Sequence, residues 1–417
     1  MARRNSPPRR PPSLVVTPTV RATPEPVAAP ARPTPAAEPV TYFAPCTLGL
    51  EDALVAELTA LGAQRIEARP GGASFRGDRR LGYAANLWLR SAIRVQEQLL
   101  VAPAAGKEQL YEAVGQLDWR RFLGVEQTLA IDASVRDSAV THSGFAALTA
   151  KDAIVDQFRA ALGRRPSVDT ARPDLPLKLV LVRDMLTLYR NLSGDSLHKR
   201  GWRPVQVKSP LNEATAAGIL ILSGWDRASP IADPMCGSGT FLIEAACLAA
   251  DRAPGLQRQF AFQLWPDFDS RLWSELRSEA LGRARRTLPF LLEGADRHEG
   301  AVSIAQKSAE AAGVAALLRL RVAEAASWQP SRPPAAVFCN PPWGERLGEG
   351  EDLLASWRDL GRFLHERCGG ARAFVLCGNA ELTRHLGLKA SRRWPVMNGP
   401  IECRLLEYEV RAAQDAP

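Results

Sequence analysis

Asp233-Pro234-Met235-Cys236-Gly237-Ser238-Gly239-Thr240 decides the fold. It ends a short apolar strand, Pro230 to Asp233, and opens a helix, Thr240 to Asp251. Glycines at 237 and 239 let the backbone turn sharply and approach a ligand closely. The helix that follows offers free N–H donors at its start, which suit an anionic group. Leu242 holds the third position of the dinucleotide fingerprint G-x-G-x-x-G, so that fingerprint is incomplete. No Lys follows the glycines, so the turn is not a P-loop.

Outward from this turn, strand and helix alternate. Further strands are expected at Leu291 to Asp296, Leu318 to Val322, Ala335 to Cys339, Ala371 to Cys377 and Arg404 to Val410. Helices are expected at Ala301 to Ala312 and Asp352 to Arg367. That order implies a mostly parallel sheet with helices on both faces, an α/β fold. Between the first helix and the second strand lies a long stretch, residues 252–290. It carries Trp265, Trp273 and the basic residues Arg283, Arg285 and Arg286, and reads as an insertion with a helix of its own.

Two acids fall at strand ends. Asp296 closes the second strand, where doubly wound folds present groups to ligand and a carboxylate can accept from ribose hydroxyls. Glu324 follows the third strand, near where an adenine amine would lie. After the fourth strand comes Asn340-Pro341-Pro342-Trp343. An exocyclic amine on a base is a poor nucleophile, because its lone pair is delocalised. Held by its N–H groups, it can attack an activated methyl. Asn340 offers a side-chain carbonyl as acceptor. Pro341 offers a backbone carbonyl fixed by its own locked φ and by Pro342. Trp343 offers a flat face for an extruded base, worth roughly 1–3 kcal/mol. Catalysis by positioning then suffices. S-adenosylmethionine (SAM) fits as donor, its carboxylate at the helix start and its methyl already activated, with no metal required. Cys236 and Cys339 touch these motifs, and a Cys nucleophile would serve C5 methylation. Both sit where small buried residues are expected.

Upstream the pattern is mixed. A helix is expected over Leu50 to Leu61, strands over Ile66 to Arg69 and Ala73 to Arg76, a helix over Thr149 to Leu162, and a hairpin from Leu177 to Val182 and Met185 to Leu192. This is an α+β region with no nucleotide loop. Residues 1–40 are Pro, Ala, Arg and Thr with almost no aromatic residues, too little apolar area to offset ordering, so a disordered tail is expected. Their six Arg against two Glu carry half of the formal net charge of +8. A basic balance suits a polyanion such as nucleic acid. At the junction of the two halves, His198, Lys199, Arg200 and Arg203 flank Trp202, a mixture suited to phosphates and bases.

A hydrophobic fraction of 46% with 24% charged residues is that of an ordinary globular chain. No apolar run reaches the roughly 18 residues of a membrane span, and no secretory signal is evident. Seven Cys without a C-x-x-C pair argue against a zinc ribbon or a disulfide framework, and for a reducing cytoplasm. His142 and His298 have no partner at metal-ligand spacing.

Together these residues resemble the THUMP-domain RNA guanine-N2 methyltransferases, most closely the N-terminal half of the bifunctional bacterial large-subunit (23S) rRNA enzymes. The resemblance runs from about residue 42 to 411. It rests on Gly49-Leu50-Glu51 through Glu57-Leu58, Gly71-Gly72, Lys151 to Asp156, Leu192 to His198, Asp233 to Thr240, Asp251 to Leu256, Asn340 to Leu347 and Asn398 to Cys403. It implies a ferredoxin-like region (41–100), a THUMP RNA-binding domain (101–195) and a Rossmann-like SAM domain with a seven-stranded sheet (196–417). It also implies SAM binding by Asp233, Pro234, Cys236, Gly237, Ser238, Gly239, Thr240, Asp296, Glu324 and Asn340. Asn340, Pro341, Pro342 and Trp343 would hold the guanine, with Arg346 beside the RNA. Trp343 stands where the family usually has Tyr, and Glu324 where Asp is common. The second methyltransferase half of the bifunctional proteins has no counterpart here, so the N2 activity alone is expected.

The resulting expectation is a monomeric RNA guanine-N2 methyltransferase acting on large-subunit rRNA. The same chemistry on tRNA, adenine-N6 or cytosine-N4 methylation, and a catalytically silent RNA-binding assembly factor are the rivals. The intact glycine turn and Asn340 disfavour the last.

Overall fold

The computed structural model describes residues 39–203, 211–344 and 352–411. The tail expected over residues 1–40 lies almost wholly outside them, and Arg346 lies outside them too. The chain order is β1 (Val40–Pro45), α1 (Glu51–Ala60), β2 (Gln64–Arg69), β3 (Gly72–Gly77), α2 (Arg79–Trp88), β4 (Gln96–Pro103), α3 (Lys107–Gly115), β5 (Thr128–Arg136), α4 (Ser143–Leu162), β6 (Ser167–Val168), β7 (Leu175–Val182) and β8 (Met185–Asn191). All eight strands form one sheet in the order β2-β3-β1-β4-β8-β7-β5-β6. β4 pairs with β1 on one side and β8 on the other, so the ferredoxin-like and THUMP regions meet inside a single strand. In β7 alternate residues are buried, among them Leu175, Leu177, Leu179 and Leu181, which puts one face of the sheet in the core.

Glycines and acids between Gly49 and Gly71 lock the start of this region. The Glu51 carboxylate accepts N–H bonds from Gly49 at 2.8 Å and Gly71 at 2.7 Å. Gly49 lies against the Pro395 carbonyl, leaving no room for a Cβ. Glu57 is half-buried and accepts from the backbone of Arg90 and Ser91.

The second body continues with α5 (Glu213–Leu222), β9 (Ile231–Asp233), α6 (Thr240–Ala249), α7 (Ser270–Arg283), β10 (Leu292–Asp296), α8 (Glu299–Ala312), β11 (Leu318–Val322), β12 (Ala336–Cys339), α9 (Leu353–Arg367), β13 (Arg372–Cys377), β14 (Arg392–Asn398) and β15 (Ile401–Glu409). The seven-stranded sheet runs β11-β10-β9-β12-β13-β15-β14. β9 to β13 are parallel, and β15 runs antiparallel to both neighbours. Strand order reverses between β9 and β12, which opens a crevice at their carboxyl ends.

The stretch 252–290 carries the expected helix, α7. Phe260, Phe262, Trp265 and Trp273 join the hydrophobic core of the eight-stranded sheet, not that of the seven-stranded one. Tyr83 stacks on Phe262 with ring centroids 4.2 Å apart, and Arg190 pairs with Glu97 and Asp267. The insertion is a strap that ties the second body onto the first.

Candidate active site

The turn after β9 is built by its glycines. Gly237 has φ +53° and Gly239 φ +77°, a region that costs other residues roughly 1–2 kcal/mol. A Cβ on Gly237 would meet nothing within 4 Å, so this backbone faces open space. A Cβ on Gly239 would lie 2.9 Å from Ala305, so this glycine also lets α6 close on α8. Gly294 on β10 lets α6 close on the sheet, with a Cβ position 2.3 Å from Leu242.

A cavity of about 360 Å³ lies over the turn at the carboxyl ends of β9, β10, β11 and β12. Asp233, Pro234, Cys236, Gly237, Ser238 and Thr240 form one wall. Asp296 and Glu324 form the next, and Asn340 and Pro342 stand at the far side. Gly239, Pro341 and Trp343 adjoin it without lining it. Side chains from two further helices complete the wall: Arg297, His298, Ala301 and Ile304 at the start of α8, Ser356 and Asp359 on α9. No motif in the sequence marks these six. Their arrival follows only from where α8 and α9 pack.

Asp296 does two tasks. Its Oδ2 accepts the Gly237 N–H at 2.8 Å across the turn, and its Oδ1 accepts the His298 N–H at 2.9 Å. Each oxygen keeps a second lone pair for a ligand hydroxyl. Asp233 is buried, and its Oδ1 accepts the Met235 N–H at 3.2 Å. Burial, and then the charge of Asp296, push its pKa well above the usual carboxylate range. A cationic ligand group here relieves both penalties. The open helix start of α6 suits a carboxylate. Cationic, carboxylate and ribose-diol partners are therefore all provided for, and the residues fit SAM.

Burial pushes the thiols of Cys236 and Cys339 well above their ordinary value. Neither is a thiolate nucleophile. Among the described residues no cluster of three or more His, Cys, Asp or Glu can hold a metal.

At Asn340 the geometry is specific. Asn340 Oδ1 accepts the Trp343 indole N–H at 3.1 Å, which fixes the side-chain amide and leaves its second lone pair. Pro342 O accepts the Trp357 indole N–H at 2.7 Å. The motif is thus pinned to α9 and to itself. Trp343 lies over Gly378 at the exit of β13, where a Cβ would come within 2.4 Å of the indole.

The basic cluster at the junction needs correction. Arg200 is buried, ion-paired to Glu244 at 3.2 Å and bonded to the Leu197 carbonyl, so it does not reach a phosphate. Arg203 pairs with Glu213 at 2.9 Å and donates to Thr240 Oγ1 at 3.1 Å, bracing the glycine turn from behind. His198 is half-buried; burial and then the Arg200 and Lys199 charges lower its pKa to about 4. It is uncharged at neutral pH. Lys199 alone of the four is a largely exposed cation, held to Asp195 at 3.3 Å.

Three regions of the chain match known domain families: residues 41–96 the RlmL ferredoxin-like domain, 104–191 the THUMP domain, and 200–407 the RMKL-like methyltransferase domain. A ribosomal RNA large subunit methyltransferase K/L of Syntrophotalea carbinolica is 41% identical over 89% of this chain. The chain spans about half, 54%, of that relative's length. The Synechocystis protein slr0064, an RNA methyltransferase candidate by name, is 38% identical over 88% of this chain and 96% of its own. Among solved structures, SMU.472, a methyltransferase candidate complexed with S-adenosylhomocysteine (SAH), superposes with a TM-score of 0.81 at 28% identity, over 90% of this chain and 99% of that one. With the three domains in this order and a relative matched over nearly its whole length, the chain belongs to the RMKL-like family of SAM-dependent methyltransferases.

Proposed function

We propose that the protein transfers a methyl group from SAM to the exocyclic N2 of a guanine in large-subunit (23S) rRNA. The observation that carries the reading is Asn340, fixed by Trp343, at the edge of a cavity whose other walls are Asp233 and Asp296. The THUMP domain and the K/L relative support RNA, and ribosomal RNA in particular, as the substrate.

SAM supplies an electrophilic methyl on a sulfonium. Asp233 and the α6 start orient it, while Asp296 and Glu324 take its polar groups. Asn340 Oδ1 and the Pro341 carbonyl accept the two amine hydrogens, so the nitrogen lone pair is turned toward the methyl. The N–C bond forms as the S–C bond breaks, and the surplus amine proton leaves to water. Trp343 keeps Asn340 in place.

The test is mass spectrometry of nucleosides from separated rRNA and tRNA of cells with and without this protein. Loss of one N2-methylguanosine is expected. Loss of N6-methyladenosine instead would replace guanine by adenine, and a change confined to tRNA would move the substrate.

A further inference from the structure

A second cavity lies on the far side of Trp343. It has a volume of about 590 Å³ and sits between a 3₁₀ turn, Ala380–Leu386, and the β14–β15 hairpin. Successive residues of a strand face opposite ways. Glu402, Arg404, Leu406 and Tyr408 therefore share one face of β15, and Arg393, paired with Leu406, joins them. Arg384 from the turn and Lys389 after it close the rim. Four cations thus meet one carboxylate, Glu402. All four are exposed, and none forms an ion pair among the described residues. Arg384 touches only the ring of its neighbour His385, Nε to Nε2 at 3.3 Å. The shielded Arg190, Arg200 and Arg203, by contrast, all have carboxylate partners. Cations left together without counter-ions in a cleft mark a place for an anion.

The cleft also has an address. Cys377 and Gly378, at the carboxyl end of β13, form its inner margin, and Gly378 carries the Trp343 ring. Trp343 in turn holds Asn340, which lines the cofactor cavity. The cleft therefore begins where the base-holding motif ends. The occupant that matches both charge and continuity is a polyanion whose next unit is already seated at Asn340.

We propose that this cleft binds the phosphates of the single-stranded RNA segment adjoining the base to be methylated, with Arg384, Lys389, Arg393 and Arg404 as its contacts. The inference rests on the proposed RNA substrate and adds the path of the strand. Arginine forks grip phosphate oxygens in pairs. Such contacts set register and affinity and carry no base preference.

The test uses the full chain and a fluorescein-labelled single-stranded RNA of about ten nucleotides, read by anisotropy across a salt series. Arg384→Glu with Arg393→Glu is compared with Arg271→Glu, on the exposed face of α7. The double variant is expected to bind at least tenfold more weakly. Its plot of log K against log salt should flatten by about 1.4, two contacts at roughly 0.7 each. In methyl transfer its KM for RNA should rise while kcat and SAM affinity stay unchanged. Unchanged affinity and slope, an equal loss in Arg271→Glu, or displacement by polyglutamate as readily as by RNA would overturn the assignment. A wild-type protein that binds the oligonucleotide through these arginines yet methylates no RNA would instead overturn the proposed function.

Discussion

At the residue scale, the bond from Trp343 to Asn340 does what the flat ring alone does not. It orients the Asn340 amide, which in the proposed mechanism holds the target amine. Trp343→Phe keeps a ring over Gly378 but removes the donor. A hydrogen bond of this kind is worth about 1 kcal/mol, so turnover should fall about fivefold. SAM affinity should not change; equal turnover would show that the bond is idle. His198 gives a second prediction, on stability. Below pH 6.5 an unfolded His takes up a proton that the folded one refuses until about pH 4. Stability is therefore unaffected above pH 6.5 and falls as pH drops toward 4. His198→Asn should flatten that decline in denaturant melts, and an unaltered slope would refute the assignment. Both residues were visible in the sequence, but their roles were not. A ring beside Asn340 does not reveal where its N–H points, and a His between Lys and Arg reads as one more cation until burial is known.

At the element scale, the β9–turn–α6 unit carried its own signature, because positive φ at Gly237 and Gly239 demands glycine. The parallel strands were legible as apolar runs, accurate to one residue for β9, β10, β11, β12 and β13. β14 was not, since Pro395 and the charges of Arg392 and Arg393 disguise an edge strand. α2 and α5 were passed over, although Asp78 and Asn212 cap them in the usual way. Arg200 and Arg203 were misread for a different reason. Their carboxylate partners are Glu244 and Glu213, on helices α6 and α5, and spacing along the chain gives no sign of such pairing. Removing one member of a buried pair strands the other, at a cost of about 3–5 kcal/mol. Arg200→Ala should lower unfolding stability by that amount in chemical denaturation while RNA affinity of the folded protein holds. A stable variant with weakened RNA binding would return Arg200 to the substrate path.

At the scale of the whole molecule, the strap of residues 252–290 joins the two sheets, with its aromatic residues in the core of the first. The sequence showed an insertion there and its tryptophans, but not which body they enter, because an apolar surface can be buried against either. That joint ties the THUMP region to the body that carries the cavity at Asn340, through the bonds from Trp265 to Asp174 and from Gln127 to Leu264. In the proposed mechanism Asn340 is the group that positions the amine. The most direct test is Asn340→Ala, assayed for transfer of labelled methyl from SAM to rRNA beside calorimetry of SAM binding. A fall of at least a hundredfold in kcat with SAM affinity within about twofold of wild type is predicted, since the loss is of positioning and not of cofactor. Undiminished turnover with intact SAM binding would contradict it.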